Sequence, residues 1–201
     1  MKALWSKIRR WLQFNLFYLG RPPWDTGVSP PELERFLDKA APGRALDVGC
    51  GTGTNLVTMA EAGWQVVGMD IAWLSVLRAR LKLRQNGLEG RVIYGDVTAE
   101  PDVRPPFDLI LDIGCYHGLS RSGREEYRGH IRKWLRPGGT LLIYAHRRRE
   151  LENSHGITEE DLNAFQTFLI LQWRDDGDEV RPNGGGGYPA TWVRFDRTDE
   201  D

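Results

Sequence analysis

Apolar positions return along this chain with two different periods. In the first twenty residues Leu4, Ile8, Trp11, Leu12, Leu16 and Leu19 recur at helical spacing, with Lys7, Arg9, Arg10 and Gln13 mostly off that stripe, which predicts an amphipathic helix. PPWDTGVSPPEL then interrupts regular structure with four prolines and a glycine. Ser29 ahead of Pro30-Pro31-Glu32 predicts a helix start, with the helix running to about Ala40 and stopped by Pro42-Gly43. From there short apolar runs alternate with helical patterns. RALDVG, WQVVGMD, RVIYGD, FDLILDIG and TLLIYA predict strands; TNLVTMAEAG, AWLSVLRARLKLRQNG and REEYRGHIRKWLRPGG predict helices. This alternation predicts a parallel sheet covered on both faces. The tail differs. TEEDLNAFQ opens with a capping box of Thr158 and Asp161, FLILQW and TWVRFDR predict strands, and DDGDEVRPNGGGGYPA predicts a polar loop. Two strands joined without a helix predict an antiparallel pair, and TDED a frayed end.

Composition narrows the classes. At 201 residues the chain is of single-domain size, with residues 1–29 as an appendage and 30–201 as the main body. Lys plus Arg is 27 against 28 Asp plus Glu, which argues against a nucleic-acid partner. Cys50 and Cys115 are too few for a disulfide framework, so a reduced, cytoplasmic protein is expected. There is no apolar run of membrane-spanning length, no signal peptide pattern and no metal-ligand spacing among the four scattered histidines. Eight Trp are unusual. Trp5, Trp11 and Trp24 cluster ahead of the main body, and Trp64, Trp73, Trp134, Trp173 and Trp192 are expected mostly in the core.

The strongest chemical signal is ALDVGCGTGTN, residues 45–55, where a strand gives way to a helix. Gly49, Gly51 and Gly53 allow a sharp turn and a close backbone approach to a ligand. The spacing G-x-G-x-G differs from the dinucleotide pattern, and Asp47 would repel a pyrophosphate while welcoming an amine or a sulfonium. Asp70 ends the next strand, where a carboxylate suits the two hydroxyls of a ribose. Asp96 follows the third strand and suits an exocyclic amine, with Ile71 and Val97 beside these acids as faces for a purine. Open parallel sheets bind ligands at the carboxyl ends of their strands, where all three acids fall.

Here the sequence resembles the class I S-adenosylmethionine-dependent methyltransferases. The matching segments are LDVGCGTG (46–53), VVGMDIA (66–72), YGDV (94–97), FDLILD (107–112) and LRPGGTLLI (135–143), in the family's order. The resemblance implies an α/β, Rossmann-like doubly wound sheet of seven strands, order 3-2-1-4-5-7-6, with strand seven antiparallel. It implies S-adenosylmethionine as cofactor and S-adenosylhomocysteine as product, with no metal. Asp47 and the loop of Gly49, Cys50, Gly51 and Gly53 would face the methionine part, Asp70 the ribose and Asp96 the adenine amine.

The family's amino-methyltransferase signature is absent after FDLILD. Asp112 followed by Tyr116-His117, and the upstream Trp24-Asp25 pair, resemble small-molecule methyltransferases of the thiol and thiopurine type. The resemblance sets Asp112, Tyr116, His117 and Trp24 around the acceptor and the cofactor. His117 is the candidate base, because neutral imidazole is available near pH 7; its other reading is a loop hydrogen bond, and Tyr116 either walls the pocket or packs. The acceptor is expected to be a small aromatic or apolar molecule. An RNA methyltransferase using the arginine clusters Arg132-Lys133 and Arg147–Arg149, and a non-catalytic cofactor-binding protein, stand as alternatives. Residues 1–21 carry five cations and no acid, so this segment is open to three readings: a lid, simple packing, or peripheral contact with an anionic membrane through residues 1–20. The Gly184–Gly187 run reads as a mobile cover or a hairpin tip.

Overall fold

The computed structural model describes residues 2–148, 156–179 and 187–198, with side chains in the first helix from residue 9 on, Arg10 excepted. Arg149, Gly184–Gly186 and the TDED tail from 199 on lie outside the described residues. The chain divides into two compact units, residues 1–103 and 104–201.

Unit one contains α1 (Lys2–Phe17), α2 (Pro31–Leu37), β1 (Arg44–Val48), α3 (Thr54–Glu61), β2 (Gln65–Asp70), α4 (Trp73–Gln85) and β3 (Arg91–Tyr94). β1 and β2 run parallel with Asp47 opposite Gly68, and β3 runs parallel to β2 with Tyr94 opposite Asp70. These short runs form strands because nearly every residue is buried: Ala45, Leu46 and Val48 in β1, Val66, Val67 and Met69 in β2. Gly68 interrupts β2 for a packing reason, since a Cβ there would lie 2.6 Å from Leu56 Cδ1 and 2.9 Å from Cys50 Sγ. α2 departs from expectation at its start. Pro30 occupies the cap position, with no side-chain cap, because proline in the first turn already fixes the backbone. The Ser29 hydroxyl instead donates to Asn55 Oδ1 at 2.9 Å and lies 2.8 Å from Thr58 Oγ1, tying the proline-rich segment to α3.

α1 is bound to α4 and β3. Asn15 Oδ1 accepts from the Trp73 amide at 3.0 Å, a first-turn donor that α4 cannot satisfy internally. Arg78 Nη1 donates to the Gly20 carbonyl at 2.8 Å, and Trp11 Nε1–H donates to the Tyr94 hydroxyl.

Unit two contains β4 (Phe107–Ile113), a 3-10 turn (Tyr116–Gly118), α5 (Arg121–Trp134), β5 (Leu135–His146), α6 (Glu159–Phe165), β6 (Ile170–Asp178) and β7 (Pro189–Asp196). β4 and β5 are parallel, and β7 runs antiparallel to both β5 and β6. The capping box of Thr158 and Asp161 at α6 forms as expected. β6 is longer than expected. It continues through the polar residues Asp175 to Asp178, each opposite a residue of β7. An edge strand needs partners on one side only, so exposed acids do not end it.

The seven strands follow the order β3-β2-β1-β4-β5-β7-β6, as the family resemblance implies. Trp64 and Trp134 are buried as expected, whereas Trp73 and Trp173 are exposed.

Candidate active site

In unit one the expected cofactor residues gather at the carboxyl ends of β1, β2 and β3. The Gly49 and Cys50 amides both donate to the Met69 carbonyl, at 2.8 and 3.0 Å, so the glycine loop turns across the end of β2. Asp70 joins the parts. Its Oδ2 accepts from the Gly51 amide at 2.9 Å and its Oδ1 from the Ala72 amide at 2.7 Å, while its carbonyl accepts from the Gly95 amide at 3.0 Å, next to Asp96. Gly51 and Gly53 have φ of +53° and +82°, values that disfavour any side chain. A Cβ at Gly53 would also lie 2.9 Å from Ala79 Cβ, and one at Gly51 would lie 2.9 Å from the Tyr18 hydroxyl. Asp47 is buried, as is Val97, and Ile71 is half-buried. Asp96 also shapes its own turn, its Oδ1 accepting from the Thr98 amide and hydroxyl, both at 2.9 Å.

The segment ahead of α2 closes on this loop. Thr52 Oγ1 donates to the Asp25 carboxylate at 3.1 Å, and Lys82 Nζ donates to Thr52 Oγ1 at 3.2 Å and Thr54 Oγ1 at 2.9 Å. Trp24 packs against Phe17, centroids 4.9 Å apart, and its indole N–H points to the Tyr18 hydroxyl at 3.4 Å. Tyr18, the Asp25–Thr52 pair and Lys82 were not expected from sequence. For Tyr18 the signal was its place on the stripe of Trp11 and Phe14. Burial pushes the pKa of Asp70 up, against the two amides that hold it down. Burial and then the Asp70 charge raise Tyr18, so its phenol stays protonated. Burial raises Cys50 well above the ordinary thiol range, which suits an apolar filler and not a nucleophile.

Unit two organises the other candidates differently. Asp112 is fully buried, and its carboxylate accepts from the Cys115 amide at 2.8 Å and the Tyr116 amide at 3.1 Å, building the 3-10 turn. Burial pushes its pKa up to about 6. Tyr116 is also fully buried, with ring centroids 4.9 Å from Tyr127 and 5.0 Å from Phe165, and its hydroxyl accepts from Arg128 Nη1 at 2.6 Å. Of the two readings of Tyr116, this geometry is packing rather than a pocket wall. His117 makes a loop hydrogen bond. Its Nδ1 accepts from the His146 amide at 3.0 Å, so the lone pair a base would use is engaged and the neutral ring carries its hydrogen on Nε2.

His117 stacks on His146 at 4.4 Å and 9°, and His146 stacks on Tyr188 at 5.4 Å and 18°. His146 Nε2 pairs with Glu179 Oε2 at 2.5 Å. Arg124, buried, anchors this region through Asp161 at 2.5 Å and the His117 and Gly156 carbonyls, each at 2.9 Å. His146, Glu179, Tyr188 and Arg124 carry no motif in the sequence. Of the arginine clusters, Arg147 pairs with Asp176 at 3.1 Å, and Arg132 lies 4.6 Å over the Phe168 ring. Among the described residues no group of His, Cys, Asp and Glu could hold a metal ion, and no helix is long and apolar enough to cross a membrane.

Residues 45–139 match the family of methyltransferase domains. A 2-heptyl-1-hydroxyquinolin-4(1H)-one methyltransferase of Mycobacteroides abscessus is 25% identical over 184 residues, 87% of this chain and 80% of that protein. A probable thiol methyltransferase 2 of Arabidopsis thaliana is 34% identical over 128 residues, 61% of this chain and 56% of that protein. The crystal structure of the N-methyltransferase NodS of Bradyrhizobium japonicum, in complex with S-adenosyl-L-homocysteine, superposes with a TM-score of 0.76 at 18% identity, covering 93% of this chain and 97% of that one. The chain spans less than two thirds of the length of most of the curated relatives it matches. Residues 45–139 thus carry a methyltransferase domain, and sheet order, glycine loop and strand-end acids are similar to those of the class I S-adenosylmethionine-dependent methyltransferases. The donor set fits that cofactor. Three carboxylates at strand ends suit an ammonium, a ribose diol and an amine, and the glycine backbone admits a close approach that a Cβ at Gly51 would contest with Tyr18.

Proposed function

We propose that the chain transfers a methyl group from S-adenosylmethionine to a small aromatic or apolar molecule bearing an S, O or N nucleophile. The observation that carries this reading is the single edge on which the glycine loop, Asp70 and the Asp96 turn are hydrogen-bonded together. When bound, the cofactor supplies a methyl activated by a sulfonium. In this reading Asp47 takes the methionine ammonium beside Gly49, Cys50, Gly51 and Gly53. Asp70 takes the ribose hydroxyls, its carboxylate held in place by the Gly51 and Ala72 amides. Asp96 takes the adenine amine, with Ile71 and Val97 against the ring. Tyr18, backed by Trp24, covers the loop at Gly51 and excludes water, which strengthens the polar contacts beneath it. Asp25 and Lys82 hold Thr52 and Thr54, which restrains the loop.

For the acceptor, the parallel rings of His117, His146 and Tyr188 support an aromatic molecule that extends the stack. Asp112 acts by positioning the turn that carries His117. The names of the quinolone and thiol methyltransferases support a small molecule. An RNA acceptor is less well supported, since Arg147 and Arg132 are engaged within the protein. Residence in the cytoplasm accords with two cysteines outside any disulfide.

The test is S-adenosylhomocysteine release from purified protein given separate panels of thiols, phenols and amines. Release with a member of one panel is expected. Tight cofactor binding with no release from any panel would make the chain a binding protein instead.

A further inference from the structure

α1 and α4 share two properties that the methyl-transfer site does not use. The first is exposed leucine. A helix packed on a protein body ordinarily turns a polar face to water. The inner face of α1 is held by Asn15 and Trp11, yet its outer row of Leu12 and Leu16, continued by Leu19, is exposed, Leu16 at 63% and Leu19 at 70%. On α4 the row Trp73, Leu77, Leu81 is exposed as well. The second property is charge. Residues 1–21 and α4 together hold nine of the 27 cations and none of the 28 acids, leaving 18 cations against 28 acids elsewhere. Arg80 and Lys82 turn to the Val92 carbonyl and the glycine loop, while Arg9 and Arg84 are exposed. The asymmetry is hidden in a chain whose net charge is -1.

We propose that α1 and the outer row of α4 form a face that docks on an anionic lipid bilayer, leucines and Trp73 entering the headgroup boundary and cations pairing with lipid phosphates. Interfacial helices combine these two features. A second copy of the chain fits less well, because an isologous contact would set two cationic helices, with Arg9 and Arg84 exposed, against each other with no acid on either. Nucleic acid fits less well too, because phosphates do not cover rows of leucine. The proposal is independent of which molecule is methylated.

Flotation of the full chain with vesicles tests it without any turnover. Binding is expected to vesicles of phosphatidylcholine with 30% phosphatidylglycerol, and little to phosphatidylcholine alone. Leu16→Gln with Leu81→Gln should lower partitioning at least tenfold. Arg9→Gln and Arg84→Gln should each lower it about fivefold. Circular dichroism and S-adenosylmethionine affinity of each variant, unchanged, separate this from misfolding, and the latter also keeps the outcome distinct from failure of the cofactor assignment. Three results overturn the proposal. One is no flotation with the anionic vesicles. Another is flotation abolished by salt yet indifferent to the leucines, which is bare adsorption. The third is a dimer in sedimentation that the leucine variant abolishes while vesicles stay unbound.

Discussion

Asp70 and Asp112 look alike in sequence. Each is an acid at the carboxyl end of a buried parallel strand, and each accepts two backbone amides. Their surroundings part them. In unit one Asp70 spans three loops, with the Gly51 amide on one oxygen, the Ala72 amide on the other and Gly95 on its carbonyl. In unit two the polar groups turn inward: Asp112 on its own 3-10 turn, Arg128 on Tyr116, Arg124 on Asp161 and two carbonyls. A strand-end acid that ties separate loops together sets up an edge where a ligand can sit. One that ties a single turn to itself shapes the backbone. The two ends are written in the same residues and differ in whose amides they hold.

The largest test of this contrast is Arg124→Met. Removing Arg124 leaves the Asp161 charge without its cation, held only by the Thr158 cap, and takes a donor from two carbonyls, so a stability loss of about 3–5 kcal/mol is expected in urea titration. Asp70→Ala should act on binding instead. S-adenosylmethionine affinity, read by calorimetry, should fall by about 100-fold, from lost charged hydrogen bonds and two amides left without acceptors. An equal effect from Asp112→Ala on affinity, with no effect from Asp70→Ala, would reverse the contrast.

Asp112→Asn gives an effect of similar size with a defined pH window. Unfolded, this carboxyl titrates near 3.8, and in the fold at about 6. Between those values the folded state holds a proton the unfolded chain has lost, so stability declines as pH rises. Above about 6 the penalty is complete, on the order of 3 kcal/mol at about 1.4 kcal/mol per pH unit. Asn has no charge to bury, so the gap in stability between variant and wild type should shift in favour of Asn by about that amount from pH 3 to pH 7. A gap that stays constant with pH would show the carboxyl to be less buried than it looks. Smallest is Tyr116→Phe. Losing the bond from Arg128 should cost about 1 kcal/mol of stability, with kcat and KM for the acceptor unmoved. A selective rise in KM would return Tyr116 to the acceptor wall.

The parallel strands were legible because burial on both faces leaves continuous apolar runs such as RALDV and FDLILDI. The glycine loop and three acids were legible because their function fixes residue type at fixed spacing. What failed to show has a common cause. The second half of β6 passed for a loop because an edge strand can be charged where it faces water. Ser29 passed for a helix cap because its partners, Asn55 and Thr58, lie far along the chain. Tyr18 against Gly51, Asp25 on Thr52 and Glu179 on His146 join residues 27 to 33 apart, and no local pattern encodes such pairs. The sequence named His117 by its neighbours, but not that the His146 amide would occupy its Nδ1.

The charged half of β6 has a consequence for how this protein tolerates crowding. β6 is an outer strand, paired only with β7, and its first half exposes Ile170, Leu171 and Trp173. Such an edge invites a stranger's strand. The acids Asp175 and Asp178 that follow set like charge against like where two such edges meet. The residues that made this strand hard to read are thus gatekeepers of solubility. Neutralising them with Asn should leave the fold in place while making concentrated protein prone to ordered self-association.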